Sequence, residues 1–308
     1  MIEPKPYFLF TRTPLHVGAG QSVGYVDLPI QREPHTRIPT VPGSSLKGVL
    51  RDRDEFDDET RAWLFGQPAG ESAGGSAGAL LIGEARVLCF PVRSAKGSFA
   101  WITSPLALAR YSRDAKPKNQ QGQSLPVAFN GLSETPDAQD RVTVLAGPEV
   151  TLARDEGTSK VREVVLEEYT YSVQSNDTLT QWENHLKALP GLDDDPVWNL
   201  LPGRLVVVPD GIFSFYVQSG CEIAQHVAIV DKTGTAKEGA LFNEETCPAE
   251  TLFCGILAAQ KINGNLAADA WSKFAVLSGK SLQIGGGETT GLGWCSFIFS
   301  PGKNQSNS

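Results

Sequence analysis

The chain has 308 residues, 41 % of them hydrophobic and 20 % charged, with a formal net charge of −8. That apolar content supports a buried core and excludes wholesale disorder, and no apolar run approaches the roughly 18 residues of a membrane span. MIEPKPYFLFTRTP lacks a signal-peptide layout, and five scattered cysteines (89, 221, 247, 254, 295) without a C-x-x-C pair argue against a disulfide framework or thiolate zinc site. A reduced, cytoplasmic protein is predicted.

Tyr7 to Thr13 alternates as a strand with Phe8 and Phe10 on one face and Tyr7 and Leu9 on the other, which predicts a central strand stopped by Pro14. After a loop to Pro42, Ser44 or Ser45 is expected to cap a helix carrying Leu46, Val49 and Leu50. DRDEFDDE then reads as a solvated acidic face, and 66–79 as a flexible Gly/Ala/Ser loop. Strands are predicted at Leu80–Phe90 and Phe99–Ile102, followed by a short amphipathic segment, SPLALARY. The polar, turn-rich stretch from about 114 to 140 reads as a mobile insertion.

Further along, Tyr169, Tyr171 and Val173 alternate with Thr170 and Ser172, and Leu179, Trp182, Leu186 and Leu189 form a helical stripe. Strands are expected at 204–208 and at Gly211–Gln218, where Phe213, Phe215 and Val217 share one side. HVAIV and GALF flank DKTGTAKEG as a hairpin. Pro248 is expected to open a helix with Leu252, Phe253, Ile256 and Leu257, a second helix spans Ala267–Ser278, and CSFIF closes the chain as a strand. Antiparallel strands mixed with a few helices define an α+β protein, a twisted sheet with helices on one side.

Chemistry concentrates in Gly18–Arg51. Residues 1–53 carry seven Lys/Arg against four acids, a net of +3, which leaves −11 on the remainder. A basic face on an acidic body binds RNA weakly alone, so the pattern favours a subunit that shares its ligand. Ser44, Ser45, Lys47 and Arg51 place two hydroxyls and two cations at a helix start, where free N–H groups favour phosphate; the bland alternative is a serine cap with solvated cations. Asp27 is a lone carboxylate among apolar neighbours, able to orient a 2′-hydroxyl or a metal, or simply to turn the loop. His16 beside the strand end is a candidate acid or base, with a structural role as its alternative. His35, His185 and His226 show no metal-ligand spacing, so no tight metal site is assigned. The loop Ile284–Trp294 carries five glycines, among them Gly285, Gly286 and Gly287, which suit either a tight turn or backbone N–H contacts to an anion.

TRTPLHVGAG, GYVDLPIQRE, GSSLKGVLR, EGALFNEETCPAETLF and IGGGETTGLGW, in that order from Phe8 to Trp294, resemble the RAMP superfamily. More narrowly, they resemble the backbone subunit of type III-B CRISPR (Cmr) effector complexes. The resemblance implies a single domain with an RRM-like (ferredoxin-like) core and inserted lid and thumb elements. It implies guide RNA and complementary target RNA as ligands, other copies of the chain and other subunits as partners, and cleavage of target RNA at regular intervals. The family's cleavage aspartate falls on Asp27, its loop histidine on His16 and its acidic residue on Glu244, with Glu245 as the neighbouring choice. Two positions past Glu244 stands Thr246, which cannot supply a phenol. Guide contacts fall to Ser44, Ser45, Lys47, Arg51 and Gly285–Gly287, and a weakly held divalent ion, with magnesium the first candidate, is expected at the scissile phosphate. A non-catalytic guide scaffold and a stand-alone guide-processing endoribonuclease are the alternative readings.

Overall fold

A computed structural model describes residues 4–20, 25–67, 75–118, 122–127, 129, 132–138, 140–155, 162–229, 233, 235–262 and 267–299. The first strand, β1 (Lys5–Thr11), is buried on both faces: Tyr7 and Leu9 enter one core cluster, Phe8 and Phe10 a second. Helices α1 (Gly43–Arg51) and α2 (Asp58–Phe65) follow, then strands β2 (Leu80–Ile82), β3 (Ala85–Ser94) and β4 (Ser98–Thr103). The middle of the chain adds α3 (Pro105–Ala115), β5 (Thr143–Ala146), β6 (Arg162–Leu166), β7 (Tyr169–Ser175) and α4 (Asp177–Lys187). Next come β8 (Leu205–Val207), α5 (Asp210–Ser219) and the hairpin β9 (Glu222–Ile229) with β10 (Ala236–Thr246). The last elements are β11 (Leu252–Ala259), α6 (Ala267–Phe274), β12 (Ser281–Gln283) and β13 (Trp294–Phe299).

One large sheet runs in the order β12-β13-β1-β11-β3-β4-β8-β5-β7-β6. Its segment β13-β1-β11-β3 is antiparallel throughout. Leu166 of β6 pairs back with Ser94 of β3, so six strands from β3 to β6 close into a ring. The β9–β10 hairpin stands apart as its own two-stranded sheet.

Helices cover both faces, which corrects the one-sided arrangement expected from sequence. Leu46, Leu50, Leu64, Phe65, Phe213, Val217 and Phe274 bring α1, α2, α5 and α6 into the cluster of Tyr7 and Leu9. Leu108, Tyr111, Leu179, Trp182 and Leu186 bring α3 and α4 into the cluster of Phe8 and Phe10. A central strand apolar on both sides requires a cover on each.

Two expected elements change type. Gly211–Gln218 is not a strand but lies in α5, where Phe213, Tyr216 and Val217 are buried at helical spacing and Phe215 is left exposed. The helix expected from Pro248 is instead strand β11, whose Phe253 and Leu257 face one cluster while Leu252 faces the other. Leu80–Phe90 is two strands, β2 and β3, separated at Gly83 and Glu84. Helix α2, unannounced in the acidic run, is capped by Asp57, whose Oδ1 accepts the Thr60 N–H at 2.7 Å. Within the expected loop at 66–79, residues 68–74 lie outside the described residues. The polar stretch 114–140 is anchored where it is described: Leu125 and Phe129 are buried, and Trp182 Nε1 donates to the Pro126 carbonyl at 2.9 Å.

Candidate catalytic and nucleic-acid site

The candidate site assembles where the loop after β1 meets strand β10. Leu28 N donates to Asn243 O at 3.0 Å and Glu245 N donates to Leu28 O at 2.9 Å, so the loop docks as a short parallel strand. Just before it, Asp27 Oδ2 accepts the Asn243 N–H at 2.8 Å, while the residue itself is exposed. Among the described residues no hydrogen bond or ion pair engages its second oxygen.

Loop and strand are riveted beneath the surface. Glu245 is 8 % exposed and takes Ile30 N at 3.0 Å on one oxygen and Arg32 Nη2 at 2.5 Å on the other. Arg32 also donates to the carbonyls of Arg37 at 2.8 Å and Val217 at 2.9 Å, tying the loop to α5. A buried carboxylate needs this pairing, because an unpaired charge there is costly.

His16 is 7 % exposed, and its Nδ1 lies 2.7 Å from the Glu245 carbonyl. A carbonyl only accepts, so Nδ1 is the donor in this contact, and the tautomer that satisfies it leaves its lone pair on Nε2. The Nδ1 atom also lies 3.8 Å from Glu244 Oε1, and the other Glu244 oxygen lies 3.2 Å from His226 Nε2. His226 stacks on Phe242 with ring centroids 5.2 Å apart. Its Nε2 is buried without an aligned hydrogen bond. Glu244 is therefore bracketed by two imidazoles.

The C-terminal glycine loop belongs to this assembly. Gly286 N donates to His16 O and Gly293 N to Pro14 O, both at 2.8 Å. Gly285 has φ +81°, and a Cβ there would sit 2.0 Å from the His16 carbonyl oxygen. One of the three N–H groups expected to face an anion is thus committed to holding His16.

Helix α1 lies elsewhere on the fold. It has Pro42 at its N-cap, and Ser44 and Ser45 sit inside the first turn without capping it, contrary to the sequence expectation. A Cβ on Gly43 would lie 2.2 Å from Ile82 O, so the helix starts hard against β2 and the position expected for a cap is displaced. Leu46 and Leu50 face the core. Among the described residues, neither Lys47 nor Arg51 has an ion-pair partner. No hydrogen bond or ion pair among them joins Ser44, Ser45, Lys47 or Arg51 to His16, Asp27 or Glu244. The structure thus brings Asp27, His16, Glu244, Glu245 and the glycine loop together, and leaves the α1 group as a separate patch.

No group of three or more His, Cys, Asp or Glu residues suited to a metal occurs among the described residues. Asp27 has one oxygen committed to Asn243, so these residues do not fit a tightly protein-held metal. Sequence reading missed three participants. Arg32 is masked by its polar loop and His226 by the alternation of its strand; the third, Tyr25, lies two residues before Asp27 and is fully exposed, so only its place in the loop associates it with the site.

The model of the RAMP superfamily matches residues 9–296, and the chain belongs to that superfamily. It is 37 % identical over 291 residues to the CRISPR system Cmr endoribonuclease Cmr4 of Pyrococcus furiosus, across 93 % of this chain and 92 % of that protein. The crystal structure of oligomeric Cmr4 from Pyrococcus furiosus matches with a TM-score of 0.70 and 29 % identity, covering 97 % of this chain and 98 % of the other. A chain of the type III-B Cmr-beta complex bound to cognate target RNA shares the fold, with a TM-score of 0.67 at 19 % identity and 96 % coverage of each. Among the described residues no helix is long and apolar enough to cross a membrane.

Proposed function

We propose that the chain is the guide-RNA-binding backbone subunit of a type III-B Cmr complex and an endoribonuclease that cuts complementary target RNA at regular intervals. The observation that carries this reading is the convergence of residues 16, 27 and 244 on one edge of the β9–β10 hairpin, in a chain 37 % identical to a Cmr endoribonuclease. RNA brings its own nucleophile, the 2′-hydroxyl, so a protein mainly has to splay one nucleotide into line and manage one proton and one charge. Asp27 offers an exposed, backbone-anchored carboxylate for that hydroxyl, and His16 Nε2 a fixed lone pair. Glu244, beside both imidazoles, can offset the charge that develops on a ring when it takes up a proton.

The order β13-β1-β11-β3, with α1 between β1 and β3 and α6 between β11 and β13, supports reading these elements as an RRM-like ferredoxin core within a single domain. The long segment between β3 and β11 then supplies the insertions. The hairpin is the natural thumb: Ile223, Val227 and Leu241 are exposed, as apolar wedges between nucleotides would be. Guide phosphates would fall to Ser44, Ser45, Lys47 and Arg51, with the N–H groups of Gly285 and Gly287 as further candidates. A divalent ion at the scissile phosphate, magnesium first, would find one protein carboxylate, so RNA oxygens and water would complete its shell. Further copies of the chain and other subunits would complete the groove in the cytoplasm.

The test is the complex assembled on a defined guide and given labelled complementary RNA with magnesium, comparing wild type with Asp27→Asn. Regularly spaced cuts that vanish in the variant, with guide still bound, are expected. Cuts that persist would remove Asp27 from the chemistry. The absence of cuts in both proteins would leave a guide scaffold.

A further inference from the structure

Two thiols face each other at the base of the hairpin. Cys221 directly precedes β9 and Cys247 directly follows β10. The hairpin register pairs Glu222 with Thr246 and Ile223 with Glu245, so one step further sets Cys221 opposite Cys247. The Cys247 N–H donates to Leu15 O and the Leu15 N–H to Cys247 O, both at 2.8 Å. The Cys247 backbone therefore turns its polar groups away from Cys221, as in a non-hydrogen-bonded antiparallel pair. Such pairs bring their Cα atoms to about 4.5 Å, inside the roughly 4.4–6.8 Å that a disulfide spans. Both side chains are free thiols buried in the same cluster, at 7 % and 2 % exposure.

We infer that Cys221 and Cys247 are a modification site, a thiol pair that a hydroperoxide converts to a disulfide across the base of the hairpin. The Cys247 thiol and the Arg32 guanidinium hold the Cys221 thiol below the usual thiol range, whereas burial pushes Cys247 well above it. Cys221 is accordingly the attacking sulfur. Its thiolate takes the distal oxygen of the peroxide, giving a sulfenic acid and releasing hydroxide. The Cys247 sulfur then displaces that oxygen, the S–S bond forms, and the departing hydroxyl leaves as water with the Cys247 proton. Two thiols are oxidised and one peroxide is reduced.

The position gives the bond a consequence. Cys247 is hydrogen-bonded to Leu15, next to His16, and lies two residues beyond Glu245. The bond would add a covalent cross-link between the two hairpin strands at their exit from the body, beside the hydrogen bonds that tie β10 to the loop after β1. The inference stands without the ribonuclease reading, since its primary readout is chemical.

The experiment treats the folded, reduced full-length chain with hydrogen peroxide, then alkylates in denaturant and maps the peptides by mass spectrometry. The expected result is a fall from five alkylatable thiols to three and a linked Cys221–Cys247 peptide pair that dithiothreitol reverses. Cys247→Ser should accumulate a dimedone-reactive sulfenic acid at Cys221, and Cys221→Ser should yield no linked pair. Amide exchange across 222–229 and 236–246 should slow in oxidised wild type. Five thiols surviving, linkage through Cys89, Cys254 or Cys295, or a link formed only after unfolding would overturn the proposal. The wild-type map decides the matter even if a variant fails to fold.

Discussion

Asp27 Oδ2 and the Asn243 N–H meet at 2.8 Å across 216 positions of sequence. The bond makes the loop carboxylate the first rung of the ladder that Leu28 continues on β10, so the candidate catalytic group also locates the hairpin. One oxygen anchors, on a residue that is exposed as a whole.

Asp27→Asn and Asp27→Ala should therefore separate the two duties. The asparagine keeps an acceptor for Asn243 and loses the charge, so cleavage should fall by at least about 100-fold, the scale for a positioned acid–base group. Thermal stability should stay near wild type. Alanine removes the acceptor as well and should add a measurable drop in melting temperature, with faster amide exchange at Asn243.

Arg32→Ala should be among the most damaging single changes outside the core. It leaves Glu245 buried with half of its partners, and breaking a buried pair in this way costs about 3–5 kcal/mol. Urea denaturation of the isolated chain would measure it. Restoration of most of that loss by Arg32→Met combined with Glu245→Met would show the pair to be structural, although the Ile30 N–H would still lack its acceptor.

Two glycines of the C-terminal loop should respond differently to alanine. Gly285 and Gly291 share positive φ values, +81° and +83°, but nothing lies within 4 Å of a Cβ at Gly291. Gly291→Ala should cost about 1 kcal/mol from backbone conformation alone. Gly285→Ala must in addition displace the His16 carbonyl, so it should cost more and depress cleavage as His16 shifts. Equal effects in melting and cleavage assays would show that the loop does not hold His16.

Lys47→Ala with Arg51→Ala should weaken every guide sequence alike. Losing two phosphate contacts should flatten the slope of log affinity against log salt by about 1.4. A filter-binding series with unrelated guides would read both effects, and selective loss of one guide would count against backbone recognition.

Acid should loosen the contact between the segment after α1 and the start of β12. Hydrogen bonds from Arg53 and then Lys280 hold the Glu55 carboxyl down at about 2. A depressed folded pKa supplies stability above the unfolded carboxylate's value, near 4.3, and loses it as pH falls toward 2. Because solvent screens such surface pairs, the effect should be small. Glu55→Gln should remove that part of the pH dependence between about pH 5 and 2 in thermal scans.

Much of this protein was legible as a string. The central strand β1, the Leu179–Leu186 helix stripe, the hairpin about DKTGTAKEG and the final strand follow from periodicity and turn residues, because neighbours along the chain set them. The resemblance of the motifs pointed to the RAMP superfamily and to Asp27, His16 and Glu244. Two segments misled for a shared reason. In Asp210–Ser219 apolar residues are dense enough to satisfy periods of 2 and 3.6 alike, and in Leu252–Ala259 burial on both faces erases alternation. Which period applied was settled by what each face packs against. Tertiary structure alone decided the rest: that the glycine loop grips His16, that Arg32 neutralises Glu245, that His226 flanks Glu244, and that Cys221 and Cys247 face each other. Arg32 and Glu245 stand 213 positions apart and the glycine loop is as remote from His16, so local chemistry carries no information about either contact; within the hairpin, register sets which residues oppose each other, but not which side chains come into contact.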